Sequence, residues 1–97
     1  MALNNRQISY LRGKAHALHQ TVTIGGSGLT EAVLAEIKST LSRHELIKIK
    51  IASDNREIRN SIADSVCKQT GAENIQRIGK ILIIYRPGEK KRITLPE

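Results

Sequence analysis

Two isoleucine-rich runs constrain the fold of this 97-residue chain more than any other feature of its sequence. The first, residues 46–51, alternates strictly, with isoleucines at 47, 49 and 51 and lysines at 48 and 50. This alternation is typical of a β-strand with one buried face and one face open to water. The second, residues 81–84, is continuously apolar, which is typical of a strand well inside a sheet. A sheet is therefore expected at the centre of the fold.

Three other segments have the period of an amphipathic helix. The first covers residues 4–18. The second begins after Thr30, a suitable N-cap. The third begins near Asp54 and Glu57, which have the spacing of a capping box, and it ends at Gly71, a residue suited to a helix C-terminus.

Short strand-like segments alternate with these helices. Residues 21–24 are β-branched, and residues 74–78 and 81–86 flank Gly79-Lys80, which has the spacing of a two-residue hairpin. The predicted order is α-β-α-β-α-β-β, in which strand-helix-strand steps give parallel pairs and the hairpin adds an antiparallel pair. We expect an α/β fold of the α+β two-layer sandwich type, with a mixed sheet of about four strands. Residues 1–97 are predicted to form a single domain, with residues 87–97 as a basic tail or an edge strand.

Net charge limits the class of partner. The chain has 16 Lys plus Arg against 9 Asp plus Glu, which gives a formal net charge of +7. An excess of this size favours nucleic acid or an acidic membrane surface over a neutral metabolite. No apolar signal segment and no apolar run of bilayer length is visible, and the single cysteine, Cys67, excludes an internal disulfide. We therefore expect a cytoplasmic protein.

The aromatic content excludes one class of RNA-binding domain. The chain has no Trp and no Phe, and its two aromatic residues are Tyr10 and Tyr85. Single-strand readers of the RRM and OB types stack bases on aromatic platforms, which this chain cannot form. Binding to nucleic acid must then depend mainly on backbone charge and shape, with a strong dependence on salt.

A glycine-rich loop is the most distinctive candidate site. Gly25, Gly26, Ser27 and Gly28 form a GxxG pattern between the first strand and the second helix. Backbone without Cβ atoms lets a phosphate approach N–H groups at a helix start, here those near Gly28 and Leu29. The pattern is also typical of a plain tight turn. It is too short for a Walker A motif and lacks its Lys-Ser/Thr ending, so an ATP site is not expected.

Basic residues elsewhere could extend a phosphate-binding surface. Arg12, Lys14 and His16 lie off the apolar stripe of the first helix, which leads into the strand before the glycine loop. Lys48 and Lys50 could contact phosphates from the sheet, or could simply be solvated. Weaker candidates near the hairpin and in the tail are Arg77, Lys80, Arg86 and the run Lys90-Lys91-Arg92.

No catalytic or metal-binding pattern accompanies these residues. His16, His19 and His44 lack cysteine or carboxylate partners at ligand spacing, which favours structural or RNA-facing roles over a metal site. Cys67 borders the apolar stripe of the third helix, which favours a partly buried thiol over a nucleophile. We expect a non-enzyme without cofactor or metal. Two alternatives stay open: an enzyme that uses the glycine loop as an anion site for a phosphate substrate, and a basic adaptor that docks on an acidic protein.

Five short motifs are spread along the chain: LRGKAH at 11–16, IGGSGLT at 24–30, HELIKIK at 44–50, IGK at 78–80 and YRP at 85–87. Together they resemble the CRM domain, the chloroplast RNA splicing and ribosome maturation module. The resemblance covers nearly the whole chain, and the bare single-domain form is similar to the bacterial YhbY proteins.

The resemblance implies an RNA-binding domain whose sheet is similar to that of the C-terminal domain of bacterial translation initiation factor three. It also implies a loop similar to the GxxG loop of KH domains, which clamps the RNA backbone. The implied partner is ribosomal RNA in precursors of the large ribosomal subunit, while plant relatives act in group II intron splicing. We therefore expect a monomeric RNA-binding protein in which residues 25–28 hold a phosphate and Arg12, Lys14 and His16 contact neighbouring phosphates or sugars.

Overall fold

Three helices and four strands follow one another in the predicted order in the computed structural model, which describes residues 3–19, 22–88 and 92–97. The helices are α1 (Asn5–Ala15), α2 (Glu31–His44) and α3 (Arg56–Thr70), and the strands are β1 (Val22–Ile24), β2 (Leu46–Ile51), β3 (Glu73–Ile78) and β4 (Ile81–Tyr85). None of these helices is long and apolar enough to cross a membrane. Thr21 of the predicted first strand and Lys90 and Lys91 of the predicted basic tail lie outside the described residues.

The strands form a mixed sheet in the order β1-β2-β4-β3. β1 pairs in parallel with β2, and β4 pairs antiparallel with both β2 and β3. The parallel step around α2, the antiparallel hairpin and the inner position of β4 are therefore confirmed. The step around α3 differs from the prediction, because β4 lies between β2 and β3, which run in the same direction without pairing.

Local capping sets the ends of α2 and α3. Thr30 caps α2 as predicted. The predicted capping box of Asp54 and Glu57 is wrong, because the side chain of Asn55 accepts the capping hydrogen bond at the start of α3. Gly71 ends α3 as predicted, with a φ of 75° that glycine adopts without steric conflict.

Apolar side chains are buried on both faces of the sheet. On one face, α2 and α3 pack against β1, the isoleucines of β2 and the inner residues of β4. On the other face, α1 packs against a second cluster that includes Leu46, Ile83 and Tyr85. The sheet thus carries α1 as a layer in addition to the α2–α3 layer. This layer covers part of the face predicted to be open to water, so that Lys48 is half-buried while Lys50 stays exposed.

The segment after β4 packs against the body of the protein. Its described part, residues 92–97, forms no strand, so the edge-strand alternative is wrong there. Ile93 and Leu95 join the cluster under α1, and Gln7 Nε2 donates a hydrogen bond to the carbonyl of Pro96 at 3.0 Å. The buried carboxylate of Glu45 accepts a hydrogen bond from the amide of Ile93. The chain end therefore helps to hold α1 on the sheet.

Candidate nucleic-acid interface

Three loops lie side by side at the end of the sheet where β1 and β2 finish. They are the GxxG loop, the connection from β2 to α3, and the hairpin between β3 and β4. The amide of Ala52 donates to the carbonyl of Ile24 at 2.9 Å, and the amide of Ile51 donates to the carbonyl of Lys80 at 2.7 Å. These two bonds fix the start of the glycine loop and the hairpin on either side of the end of β2.

The glycine loop is a tight turn with exposed amides. The amide of Gly28 donates to the carbonyl of Gly25 at 3.0 Å, and the amide of Thr30 donates to the carbonyl of Gly28 at 3.1 Å. The Gly28 N–H is therefore occupied, contrary to the expectation that it faces a phosphate, whereas the amide of Leu29 donates no hydrogen bond within the described residues. Within the described ranges, the amides of Gly26 and Ser27 donate no hydrogen bond, and both residues are exposed. These two N–H groups are the ones best placed to bind an anion.

Four of the predicted basic residues lie on the α1 side of the sheet. Arg12 of α1 and His16, the C-cap residue one turn later, line a concavity of about 150 Å³ together with Lys48. The Nε of Arg12 donates to a backbone carbonyl of β3 at 3.2 Å, and the Nζ of Lys48 donates to that of Leu18 at 3.3 Å. Lys50 follows on the same face of β2 and is exposed. We call Arg12, His16, Lys48 and Lys50 the basic sheet face.

Lys14 does not belong to the basic sheet face. Two residues along an α-helix turn through about 200°, so Lys14 points away from both Arg12 and His16. Its Nζ lies 5.5 Å from the centre of the Tyr10 ring, within the range of a cation–π contact. It also lines a groove of about 580 Å³ that Ile93 of the C-terminal segment borders. The structure therefore brings Arg12 and His16 together and separates Lys14 from them.

Arg77 and Lys80 are paired with carboxylates. Arg77 lies on the α2–α3 side of the sheet, where it forms an ion pair with Asp64 of α3. Lys80 pairs with Asp54 at 2.8 Å, and its hydrogen bond and positive charge lower the pKa of that carboxyl. Exposed pairs of this kind contribute little to stability, so neither cation is locked in place. Of the two, Lys80 lies at the same end of the sheet as the GxxG loop, on the other side of the end of β2.

Arg86 lies at the opposite end of the sheet from the glycine loop. Its guanidinium donates to the carbonyl of Thr70 at 2.8 Å, to the carbonyl of Lys38 at 3.4 Å and to the hydroxyl of Ser42 at 3.3 Å. Carbonyls near helix C-termini need such partners. Arg86 thus joins the C-terminal end of α3 to the second half of α2, and the structure does not bring it to the loop or to the basic sheet face.

Two residues of β3 that sequence reasoning missed border the basic sheet face. Gln76 and Ile78 line the same concavity as Arg12. Ile78 is 58% exposed, so more than half of its surface is open to water beside these cations. The alternation of Gln76 and Ile78 around Arg77 was the available signal, since it places the two side chains on one face of the strand.

A second basic cluster that sequence reasoning missed lies on the α3 side. Arg56, Arg59 and Arg77 line a concavity of about 310 Å³. Arg59 Nη1 donates to the carbonyl of Ser53 at 2.8 Å, which orders the connection from β2 to α3. The spacing of three residues between Arg56 and Arg59 on a helix was the signal that could have found this cluster.

The described residues contain few candidates for a metal ligand set or a nucleophile. No set of three His, Cys, Asp or Glu side chains there is arranged to hold a metal ion. Cys67 is half-buried against the core, and burial raises the pKa of its thiol. A raised pKa lowers the thiolate fraction and hence the reactivity of the sulfur.

Comparisons with known proteins agree on one family. The family model of the CRS1/YhbY (CRM) domain matches residues 3–86. An RNA-binding protein of Haemophilus influenzae is 47% identical over 94 residues, which cover 97% of this chain and 95% of that protein. Probable RNA-binding protein YqeI of Bacillus subtilis is 30% identical over 95 residues, which cover 97% of this chain and 99% of that protein.

A solved structure has the same fold. The solution structure of a candidate RNA-binding protein from Staphylococcus aureus superposes with a TM-score of 0.83 at 34% sequence identity. The match covers 98% of this chain and 100% of the other. The shared fold therefore extends over nearly the whole chain.

Proposed function

The chain belongs to the CRS1/YhbY (CRM) domain family, and on that premise we propose that it binds ribosomal RNA in precursors of the large ribosomal subunit and assists their assembly. Relatives along the full length are named RNA-binding proteins, which supports RNA as the partner and argues against an enzyme. A formal net charge of +7 suits a polyanion. The assembly role, the cytoplasmic location and the monomeric state are parts of the proposal that follow from the resemblance and from composition.

The position of the glycine loop beside the basic sheet face supports this proposal most directly. Thr23, two residues before Gly25, pairs with Lys50 across the sheet. Lys50 therefore lies near the glycine loop, where it can contact the RNA next to a phosphate bound by the free amides of Gly26 and Ser27. In this proposal the RNA backbone runs from the loop across the basic sheet face, and its phosphates supply most of the affinity.

A charge placed in the loop tests the clamp. Gly26→Glu adds a carboxylate where a phosphate is proposed to bind, and a Cβ at this position meets no atom within 4 Å, so the fold accommodates it. Ser39→Glu adds the same charge on an exposed position of α2 and serves as the control. We expect Gly26→Glu to weaken binding of a ribosomal RNA fragment at least tenfold more than Ser39→Glu, at equal melting temperature. Equal affinities of the two folded variants would exclude the loop as a phosphate clamp.

Gly26 is a better test position than Gly28. Gly28 has a φ of 75°, so any side chain there strains the turn. Weaker binding by a Gly28 variant would therefore not distinguish a lost phosphate contact from a distorted loop. Gly26→Ala adds a methyl group without charge and separates steric from electrostatic effects. We expect it to weaken binding only slightly, because backbone N–H groups remain.

Sedimentation of a cell extract tests the assembly role. We expect the protein to travel with particles lighter than the mature large subunit, and to leave them as salt is raised. Gly26→Glu is expected to shift the protein to the top of the gradient. Wild-type protein found only in the free fraction at low salt would contradict the association with large-subunit precursors.

A further inference from the structure

We propose that the concavity on the basic sheet face binds a single unpaired RNA base, whose flanking phosphates contact Arg12, Lys48 and Lys50. This inference rests on the proposed function, because it assumes that RNA crosses this face. The charge of this surface predicts contacts with the RNA backbone only, and the inference adds a site for a base.

The concavity has the size and apolar lining of a site for one ring. Its volume is about 150 Å³, and a protein cavity of about this volume accepts benzene. Its apolar lining comes from Ala15 of α1 and from Ile78, Ile81 and Ile83 of the hairpin strands. Ile78 leaves 58% of its surface in water. Nucleic-acid-binding proteins use exposed isoleucine as a wedge against base faces, so this lining can replace the aromatic platform that the chain lacks.

The polar lining suits the edge and the phosphates of a nucleotide. The Nε of Arg12 is held by a carbonyl of β3 at 3.2 Å, which orients the planar guanidinium for contact with a base or a phosphate. The amide of Gln76 offers both a donor and an acceptor, and its side chain makes no hydrogen bond within the described chain. His16 and Lys48 add further donors. Each part of a nucleotide therefore has a matching group.

Charge favours RNA over a peptide as the occupant. Among the described residues, no acidic side chain lines the concavity, whereas Arg12 and Lys48 do, and Lys50 lies next along the strand. An apolar peptide side chain would use only the aliphatic lining. A base in a duplex is stacked on both faces and paired along its edge, so it cannot enter. The site therefore selects single-stranded or bulged RNA over a duplex.

Two exposed isoleucines give a matched pair of variants. Ile78→Ser removes the exposed aliphatic side chain of the concavity without changing charge. Ile58→Ser makes the same change on α3, where Ile58 is 49% exposed and lies outside the concavity. Both variants are tested with a labelled single-stranded RNA and with a fully paired RNA duplex of equal length, at one salt concentration and after a melting curve.

The proposal expects Ile78→Ser to weaken single-strand binding about fivefold, near the lower end of base-stacking effects, and to leave duplex binding unchanged. Ile58→Ser should change neither affinity. Gln76→Ala is a second, independent variant, and it should reduce the difference in affinity between single strands of different base composition. A crosslink from 4-thiouridine in the RNA to β3 or β4 would support the site directly.

Different results separate this inference from the proposed function. If wild-type protein binds both RNAs and folded Ile78→Ser binds them as tightly, or loses both affinities equally, the base site is overturned while RNA binding stands. If wild-type protein binds neither RNA, the proposed function itself fails. Protein capture that survives ribonuclease and is lost in Ile78→Ser alone would assign the surface to a protein partner and overturn the base site.

Discussion

The buried carboxylate of Glu45 holds the amide of Ile93, with Oε1 accepting its hydrogen bond at 2.8 Å. Oε2 accepts a second bond from the amide of Gly88 at 2.6 Å. Glu45 is 1% exposed and has a φ of 65°, a conformation that side chains other than glycine rarely adopt. The hydrogen bonds compensate for this backbone strain. One side chain at the junction of α2 and β2 thus anchors the C-terminal segment that packs against α1.

Neutralising this anchor should destabilise the protein. In Glu45→Gln, one carboxylate oxygen becomes an amide nitrogen that cannot accept a hydrogen bond, so one buried N–H loses its partner. We expect the free energy of unfolding to fall by about 1–3 kcal/mol, as for other buried donors left unpaired. Urea denaturation measures the change. Glu36→Gln, which changes an exposed carboxylate on α2, is the control, and its free energy of unfolding should fall by much less. Equal losses of free energy in the two variants would show that the Glu45 anchor does not contribute to stability.

The same carboxylate should make stability depend on pH. Burial raises the pKa of Glu45, but the amides of Gly88, Ile93 and Arg92 and the charge of Arg92 outweigh it, so the pKa is lowered on balance. A lowered pKa in the folded state adds stability that is present above the unfolded value, about 4.3, and is lost as pH falls through the folded value. We expect the free energy of unfolding of wild-type protein to drop below about pH 4.3 more steeply than that of Glu45→Gln. Denaturation curves that change in parallel with pH would contradict this assignment.

Periodicity was sufficient to predict the elements of the sheet. The alternation in Leu46–Ile51 matched β2 residue for residue, because each isoleucine gains from burial on the same face. The continuous apolar run of β4 predicted its inner position, but not that it separates β2 from β3, since strand order depends on contacts between residues distant in sequence. The positive φ of Glu45 was also not predictable, because the hydrogen bonds that compensate for it come from Gly88 and Ile93, which are distant in sequence.

The candidate site was predicted only in part, because it also depends on contacts between residues distant in sequence. The stripe that includes Leu11 and Ala15 predicted a buried face of α1, but no sequence pattern says which face of the sheet receives it. The observed packing puts Arg12 and His16 beside Gln76 and separates them from Lys14. Which residues form the basic sheet face therefore depends on how α1 packs on the sheet, whereas the glycine loop was predictable from the local sequence alone.

The salt dependence of RNA binding should distinguish the two sides of α1. Removing one cation that binds a phosphate reduces the slope of log affinity against log salt by about 0.7 for single-stranded RNA. We expect Arg12→Ala and Lys50→Ala each to reduce the slope by about this amount. Lys14→Ala should change it less, as should Lys68→Ala, an exposed control on α3. If Lys14→Ala reduces the slope as much as Lys50→Ala does, the RNA binds the far side of α1 instead.

Removal of Arg86 should affect stability and leave the RNA affinity of folded protein unchanged. Its guanidinium donates to the carbonyl of Thr70, the last residue of α3, and to the carbonyl of Lys38 within α2, so Arg86→Ala leaves the C-terminal end of α3 without this partner and removes the link to α2. We expect the free energy of unfolding to fall by about 1–2 kcal/mol. RNA affinity, measured well below the melting temperature, should stay within twofold of wild type, because Arg86 lies at the opposite end of the sheet from the loop. A reduced salt slope in folded Arg86→Ala would instead support the sequence prediction that Arg86 contacts RNA.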